Sequence, residues 1–245
     1  MFNCLGRRFR INSSPVFSLR WCLALLRSPG VLTSSFLVGL VSLIGATSLC
    51  VDTATAQSTL FKRPSTQPSA DVLHSASVGG RTSVPYGWLD FCHRRPKECK
   101  VPALPATNVK LTTQNLHTLK RINQKANRAI KPVSNYDHWG TMMDHWDYPV
   151  DGKGDCKIYA LYKRKLLMEA GFPRQALLMT VVRDLNNEGH TILTVKTDKG
   201  DFVLDNLVDE VRPWNATGYY FLKRQSQQNP NIWVSINQRG GTPRT

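Results

Sequence analysis

Acidic residues are scarce in this chain. It has 17 Asp and Glu against 32 Lys and Arg, a formal net charge of +15 over 245 residues. Such a balance favours acidic partners such as nucleic acid, anionic lipid or an acidic polypeptide. The basic residues are scattered, however, and no aromatic-interleaved basic motif accompanies them, so they read as a solvated surface without nucleic acid as a partner. Long apolar runs are missing too. The apolar stretch from Val31 to Ala46 falls short of the roughly 18–20 residues that a spanning helix needs, which excludes a permanent membrane anchor of that kind. No internal repeat is present, which excludes repeat arrays. Zinc-ligand spacing is also lacking. His138 and His145, with Asp144 and Asp147, match no zinc signature.

What the N-terminus does contain is a secretory signal pattern. Met1 to Ser28 carries five arginines and almost no acid, the apolar stretch follows, and Ala54-Thr55-Ala56 supplies a small-x-small exit. Residues 1–56 therefore read as a signal peptide cleaved after Ala56, which predicts a periplasmic protein. Leu49 is the wrong neighbour for a lipoprotein cysteine at position 50, and Arg7-Arg8 lies far from the apolar run. Losing five Arg and one Asp with the leader leaves the mature chain at +11. Residues 57–84, rich in Ser, Thr, Pro and Gly, read as a flexible linker. Residues 85–245 are then one domain, long enough to bury a proper core.

Cysteine usage fits export. Cys4, Cys22 and Cys50 leave with the leader, and Cys92, Cys99 and Cys156 remain. Cys92 and Cys99 lie seven apart among turn-forming residues, which predicts a disulfide-closed loop in an oxidising compartment. Cys156 is the odd cysteine of the mature chain. A reactive nucleophile is one reason for an exported protein to carry such a residue.

The segment from Pro85 to Pro105 holds the predicted disulfide loop and several prolines, and reads as irregular. From Leu111 to Ile130 apolar residues recur at helical spacing, with Thr112 or Thr113 as the cap and Pro132 as the stop. Ser134 to Pro149 is an aromatic and acidic connection. Its Trp139 and Trp146 suit a substrate groove and a core equally well. Asp151-Gly152-Lys153-Gly154-Asp155 then forms a tight turn into a helix from Cys156 to Ala170, ended by Gly171 and Pro173. Strands are predicted over Ala176–Arg183, His190–Thr197 and Asp201–Asp205, joined by turns at 186–189 and 198–200. Two more fit Tyr219–Leu222 and Ile232–Ile236.

Three residues in this frame carry chemistry. Cys156 sits in the first turn of its helix, where unsatisfied N–H groups and the helix dipole favour an anion, and so favour the nucleophilic thiolate. Lys157 beside it is expected to push the same way. His190 opens a strand straight after a glycine-containing turn, a suitable position for a general base. Asp205 closes the next strand. With a turn centred between Asp198 and Lys199, position 205 faces 192, and Asp205 becomes the diagonal neighbour of His190, within hydrogen-bonding reach. A three-residue turn would put the two on opposite faces.

Gly154-Asp155-Cys156, Gly189-His190 and Val203-Leu204-Asp205-Asn206-Leu207 resemble the bacterial transglutaminase-like cysteine proteinases, which include the periplasmic LapG-type adhesin proteases. Tyr136, Trp139-Gly140, Trp146, Pro149 and Val211-Arg212-Pro213-Trp214 extend the resemblance over most of the mature chain. It implies an α+β fold, a transglutaminase-like (papain-like) core in which N-terminal helices and a nucleophile helix pack on an antiparallel sheet. It also implies Cys156, His190 and Asp205 as the catalytic residues, an adhesin-like envelope protein as substrate, and control by an inner-membrane receptor. Adhesin-cleaving members bind calcium through acidic residues that follow the cysteine. Here Asp155 is retained as a calcium ligand, but Lys157 and Ile158 stand where those acids would be. An ammonium repels the ion, which predicts that calcium dependence is weak or lost and that no cofactor is required. Lys157 would then replace part of the ion's charge. Two other functions fit the same residues: a transglutaminase-type acyl transferase, and a non-catalytic envelope binding protein on the same fold.

Overall fold

The computed structural model describes residues 75–237. The signal region 1–56, its three cysteines and most of the expected linker lie outside the described residues. In chain order the elements are β1 (Ser77–Thr82), α1 (Tyr86–Arg94), α2 (Pro96–Cys99), α3 (Thr113–Ala129), β2 (Lys131–Pro132), α4 (Asn135–Trp139), β3 (Lys153–Gly154), α5 (Cys156–Glu169), β4 (Leu177–Arg183), β5 (Gly189–Thr197), β6 (Gly200–Leu204), β7 (Arg212–Pro213), β8 (Tyr220–Gln225) and β9 (Trp233–Asn237). Seven strands form one sheet in the order β1-β9-β8-β4-β5-β6-β7, antiparallel at each pairing. β2 and β3 pair in parallel as a separate ribbon. This is the α+β architecture expected from the sequence.

The sheet is buried on both faces because side chains alternate along its strands. Met179 and Val181 of β4, Leu193 and Val195 of β5 and Leu204 of β6 join the larger core with Trp88 and Phe91 of α1, Leu119 and Ile122 of α3, and Leu161 and Leu167 of α5. Val182, Ile192, Val203, Phe221 and Ile236 point the other way into a second cluster with Tyr219. Each such side chain contributes about 1.5–3 kcal/mol on burial. The helices are therefore held by packing more than by intrinsic propensity.

Helix α3 starts as the spacing predicts, and Thr112 is the cap: its side chain accepts from the Asn115 N–H at 3.1 Å. Helix α5 is central. Every residue from Cys156 to Leu161 is buried, and its N-terminus is approached closely by the turn before it. A Cβ on Gly154 would lie 2.5 Å from Ile158 Cγ2, so only glycine lets that turn pass so near the helix.

Two stretches depart from expectation. Pro85 to Pro105 is not irregular, since it contains α1 and α2. Trp88 and Phe91 anchor α1 in the core, both fully buried, and Pro96 occupies the first turn of α2, where its missing N–H costs nothing. At the end of the expected linker, Ser77–Thr82 form an edge strand on β9. Backbone pairing supplies that contact without large apolar side chains, so hydrophobic pattern does not reveal it. Cys92 and Cys99 are joined by a disulfide, with Cα atoms 5.5 Å apart.

Candidate active site

Two hairpins deliver the residues. Between β4 and β5, Asp184 organises the turn, its Oδ1 accepting from the N–H groups of Asn186 and Glu188 at 2.9 Å each. This sets Val182 opposite His190. Between β5 and β6 the turn is Asp198-Lys199, with Thr197 opposite Gly200 and Leu193 opposite Leu204. It is the two-residue turn, so position 205 falls next to the pair that closes the ladder and Asp205 sits diagonal to His190. His190 Nε2 and Asp205 Oδ1 are 2.8 Å apart. Both residues are buried, 1% and 2% exposed.

The sulfur is brought in by α5. The Thr191 N–H, one residue along from His190, donates to Cys156 Sγ at 3.4 Å. Helix start, strand start and strand end thus meet at one place. His190 uses Nε2 on Asp205, and its Nδ1 is buried with no hydrogen-bond partner among the described residues. Cys156 is 1% exposed, and the groups named around it are polar.

Asp205 is held from several directions. Its Oδ1 also accepts from the Leu207 N–H at 3.0 Å, and its Oδ2 accepts from the Tyr219 hydroxyl at 2.6 Å. Its backbone carbonyl accepts from Asn127 Nδ2 of α3 at 3.0 Å. Burial pushes the carboxyl pKa up. The charge and hydrogen bond of His190 and the Tyr219 and Leu207 donors outweigh it, so the carboxyl is held well below the usual carboxylate range. Tyr219 in turn is raised above the usual phenol value, by burial first and then by the neighbouring Asp205 charge.

Tyr219, Asn127 and the Thr191 N–H are absent from the sequence reading. Tyr219 lies at a predicted strand start with nothing in the local pattern to separate it from a core tyrosine. The two asparagines of α3, Asn123 and Asn127, do carry a signal: they sit four apart on the buried face of an amphipathic helix. Both reach across to the 205–209 segment.

Lys157 is placed differently from expectation. Successive helix residues do not face the same way, and the buried Lys157 ammonium lies between Asp144 Oδ1, at 2.8 Å, and Asp155 Oδ2. Its charge is matched by two carboxylates. Asp155 is raised from the usual carboxylate value by burial, with Lys157 working in the opposite direction. The two tryptophans divide. Trp146 is core, edge-on to Trp88 and Trp233, whereas Trp139 is 36% exposed between the rings of His138 and His145. His138 pairs with Asp151, and Asp147 with Arg94 and Arg95. Among the described residues no group of three or more His, Cys, Asp or Glu side chains is arranged to hold a metal ion.

With this geometry the comparison with known proteins is specific. Residues 78–240 match the family described as bacterial transglutaminase-like cysteine proteinase, BTLCP. The chain belongs to that family. Legionella pneumophila LapG is similar at 24% identity, with a TM-score of 0.41 over 48% of this chain and 67% of LapG. Calcium-bound LapG from the same organism gives 21% identity and a TM-score of 0.43 over 54% of this chain and 75% of its own. No curated protein matches. As a member of a cysteine-peptidase family, the chain has a cysteine, a histidine and a carboxylate gathered at the junction of α5, β5 and β6.

The depressed carboxyl of Asp205 has a signed consequence. Its contribution to stability is present above the unfolded value of about 4 and is lost as pH falls below it toward the folded value. In denaturant titrations taken stepwise from pH 5 downward, wild type should lose stability steeply below about pH 4. Asp205→Asn should show a shallower slope over the same interval, whatever its stability at pH 5.

Proposed function

We propose that this protein is an exported cysteine endopeptidase that cleaves an adhesin-like surface or envelope protein, with Cys156 as nucleophile, His190 as base and acid, and Asp205 as the group orienting the imidazole. The observation carrying this reading is the 2.8 Å contact between His190 and Asp205 beside a strand N–H that touches Cys156 Sγ. Family membership supports the same chemistry.

The chemistry starts from the reduced Cys156 side chain. With Nε2–H donating to Asp205, His190 Nδ1 is the nitrogen left to take the thiol proton. The thiolate then attacks the peptide carbonyl carbon. First-turn N–H groups of α5 favour the negative charge that develops on the carbonyl oxygen. As the C–N bond breaks, the imidazolium gives its proton to the leaving amine and an acyl-thioester remains. Water, deprotonated by the same imidazole, attacks the thioester carbon; the C–S bond breaks, the imidazolium returns its proton to the Cys156 sulfur, and the acid product leaves and ionises. Because Cys156 is 1% exposed, a substrate carbonyl reaches the sulfur only when the atoms covering it move aside.

Calcium does not fit the residues present. The ion takes six to eight oxygen ligands, whereas Asp144 and Asp155 already share an ammonium and Ile158 presents hydrocarbon against Gly154. Oδ1 of Asp155 is buried with no hydrogen-bond partner among the described residues, but one such oxygen is far from a ligand shell. Lys157 is read as the built-in cation of this site, and peptidase action as independent of calcium. Export through cleavage after Ala56, and control by an inner-membrane receptor, complete the reading.

Cells producing wild type should release fragments of envelope proteins, seen by mass spectrometry, that cells producing Cys156→Ala do not. Identical fragment profiles would remove the peptidase assignment. Protein recovered from the periplasm should begin at Gln57 by N-terminal sequencing, and retention of the leader would contradict the export reading. Purified wild type should melt at the same temperature in calcium and in a calcium chelator. A chelator-induced drop, or stoichiometric bound calcium by metal analysis, would show the Lys157 reading to be wrong.

A further inference from the structure

We infer that Tyr219 is a positioning residue of this site, fixing the Asp205 carboxylate with its hydroxyl and the His190 ring by a perpendicular ring contact. The inference rests on the peptidase reading and adds a fourth side chain to it.

Both contacts are direct. The Tyr219 hydroxyl donates to Asp205 Oδ2 at 2.6 Å, while Oδ1 is occupied by His190 and by the Leu207 N–H. A carboxylate held at one oxygen can still swing about its terminal torsion, which is broad and soft. Held at both oxygens, it presents Oδ1 to the imidazole in one orientation. The Tyr219 ring also stands at 85° to the His190 ring, with centroids 5.8 Å apart, an edge-to-face contact that favours one ring plane. A fixed plane matters because Nδ1 and Nε2 have different tasks. When Nε2 stays on Asp205, Nδ1 keeps its aim.

Tyr219 is itself held firmly. Its N–H donates to Thr217 Oγ1 at 3.2 Å, and that hydroxyl donates to the Trp214 carbonyl at 2.8 Å. Gly218, at φ +74°, reverses the chain just before it. The ring is buried in the second core cluster with Val182, Ile192 and Phe221. A tyrosine needed only for packing would have no reason to spend its hydroxyl on the one carboxylate that orients the imidazole.

Removal of the hydroxyl alone separates positioning from packing. The readout is the rate at which iodoacetamide alkylates reduced Cys156 near neutral pH, followed by mass spectrometry of the Cys156 peptide, with melting temperature measured on each variant. Loss of a hydrogen bond to a charged group should slow Tyr219→Phe about tenfold relative to wild type. In an Asp205→Ala background the same change should cost nothing further, because its target is gone, a non-additivity that a general packing defect does not produce. A Tyr219→Phe protein within twofold of wild type, with His190→Ala slow, would overturn the inference and leave the three-residue site standing. Losses that add in the double variant would overturn it too. If wild type is no faster than His190→Ala, the underlying peptidase reading fails instead.

Discussion

The site depends on one constraint, the register of the β5–β6 hairpin. Side chains on a strand alternate, so a turn one residue longer would move Asp205 to the far face and leave His190 without its carboxylate. The two-residue turn is pinned from outside the hairpin. Asp198 donates its N–H to the Val109 carbonyl and accepts the Leu111 N–H on its side chain, while Lys196 receives the Val109 N–H. The stretch leading into α3 therefore holds the turn that sets the register. From the other end of the same helix, Asn123 and Asn127 hold the carbonyls of the segment that Asp205 begins. Helix α3 and the stretch that leads into it thus steady the two ends of β6.

Buried charge is handled in two different ways around the sulfur. Asp205 is stabilised as a carboxylate by the His190 imidazole and by two further donors, the Tyr219 hydroxyl and the Leu207 N–H, and it stays well below the usual range. Asp155, one residue before Cys156, is raised by its burial, which the Lys157 ammonium and the Ile158 N–H offset only in part. Removing one partner from a buried pair is costly because the other charge remains without water. That gives Lys157 a structural job: it ties the aromatic connection, through Asp144 and its bond from Trp146 Nε1, to the residue that leads into α5.

Much of this arrangement is legible in the chain. The periodicity of 111–130 gives α3 and the glycine-rich turn gives the start of α5. Alternating β-branched runs give β4 to β6 within a residue or two of their observed ends. Cys156, His190 and Asp205 stand out because their order and element positions agree with one another. The helices at Tyr86–Arg94 and Pro96–Cys99 are hidden by prolines and cysteines that dominate the local composition, and β1 is hidden because an edge strand needs only backbone. The direction of Lys157 is hidden for a different reason, since it depends on where Asp144 returns after an irregular connection.

The sequence alone determined α3, α5 and β4 to β6, the disulfide spacing and the choice of Cys156, His190 and Asp205 as candidates, because these follow from local periodicity and residue chemistry. Tertiary structure alone decided that a tyrosine fourteen positions beyond Asp205 closes its second oxygen, that Thr191 meets the sulfur, and that Lys157 pairs with two acids. Each of those is a contact between groups remote in the chain or on opposite sides of a turn. No local pattern encodes it, because distance along the backbone carries no information about distance in a packed core.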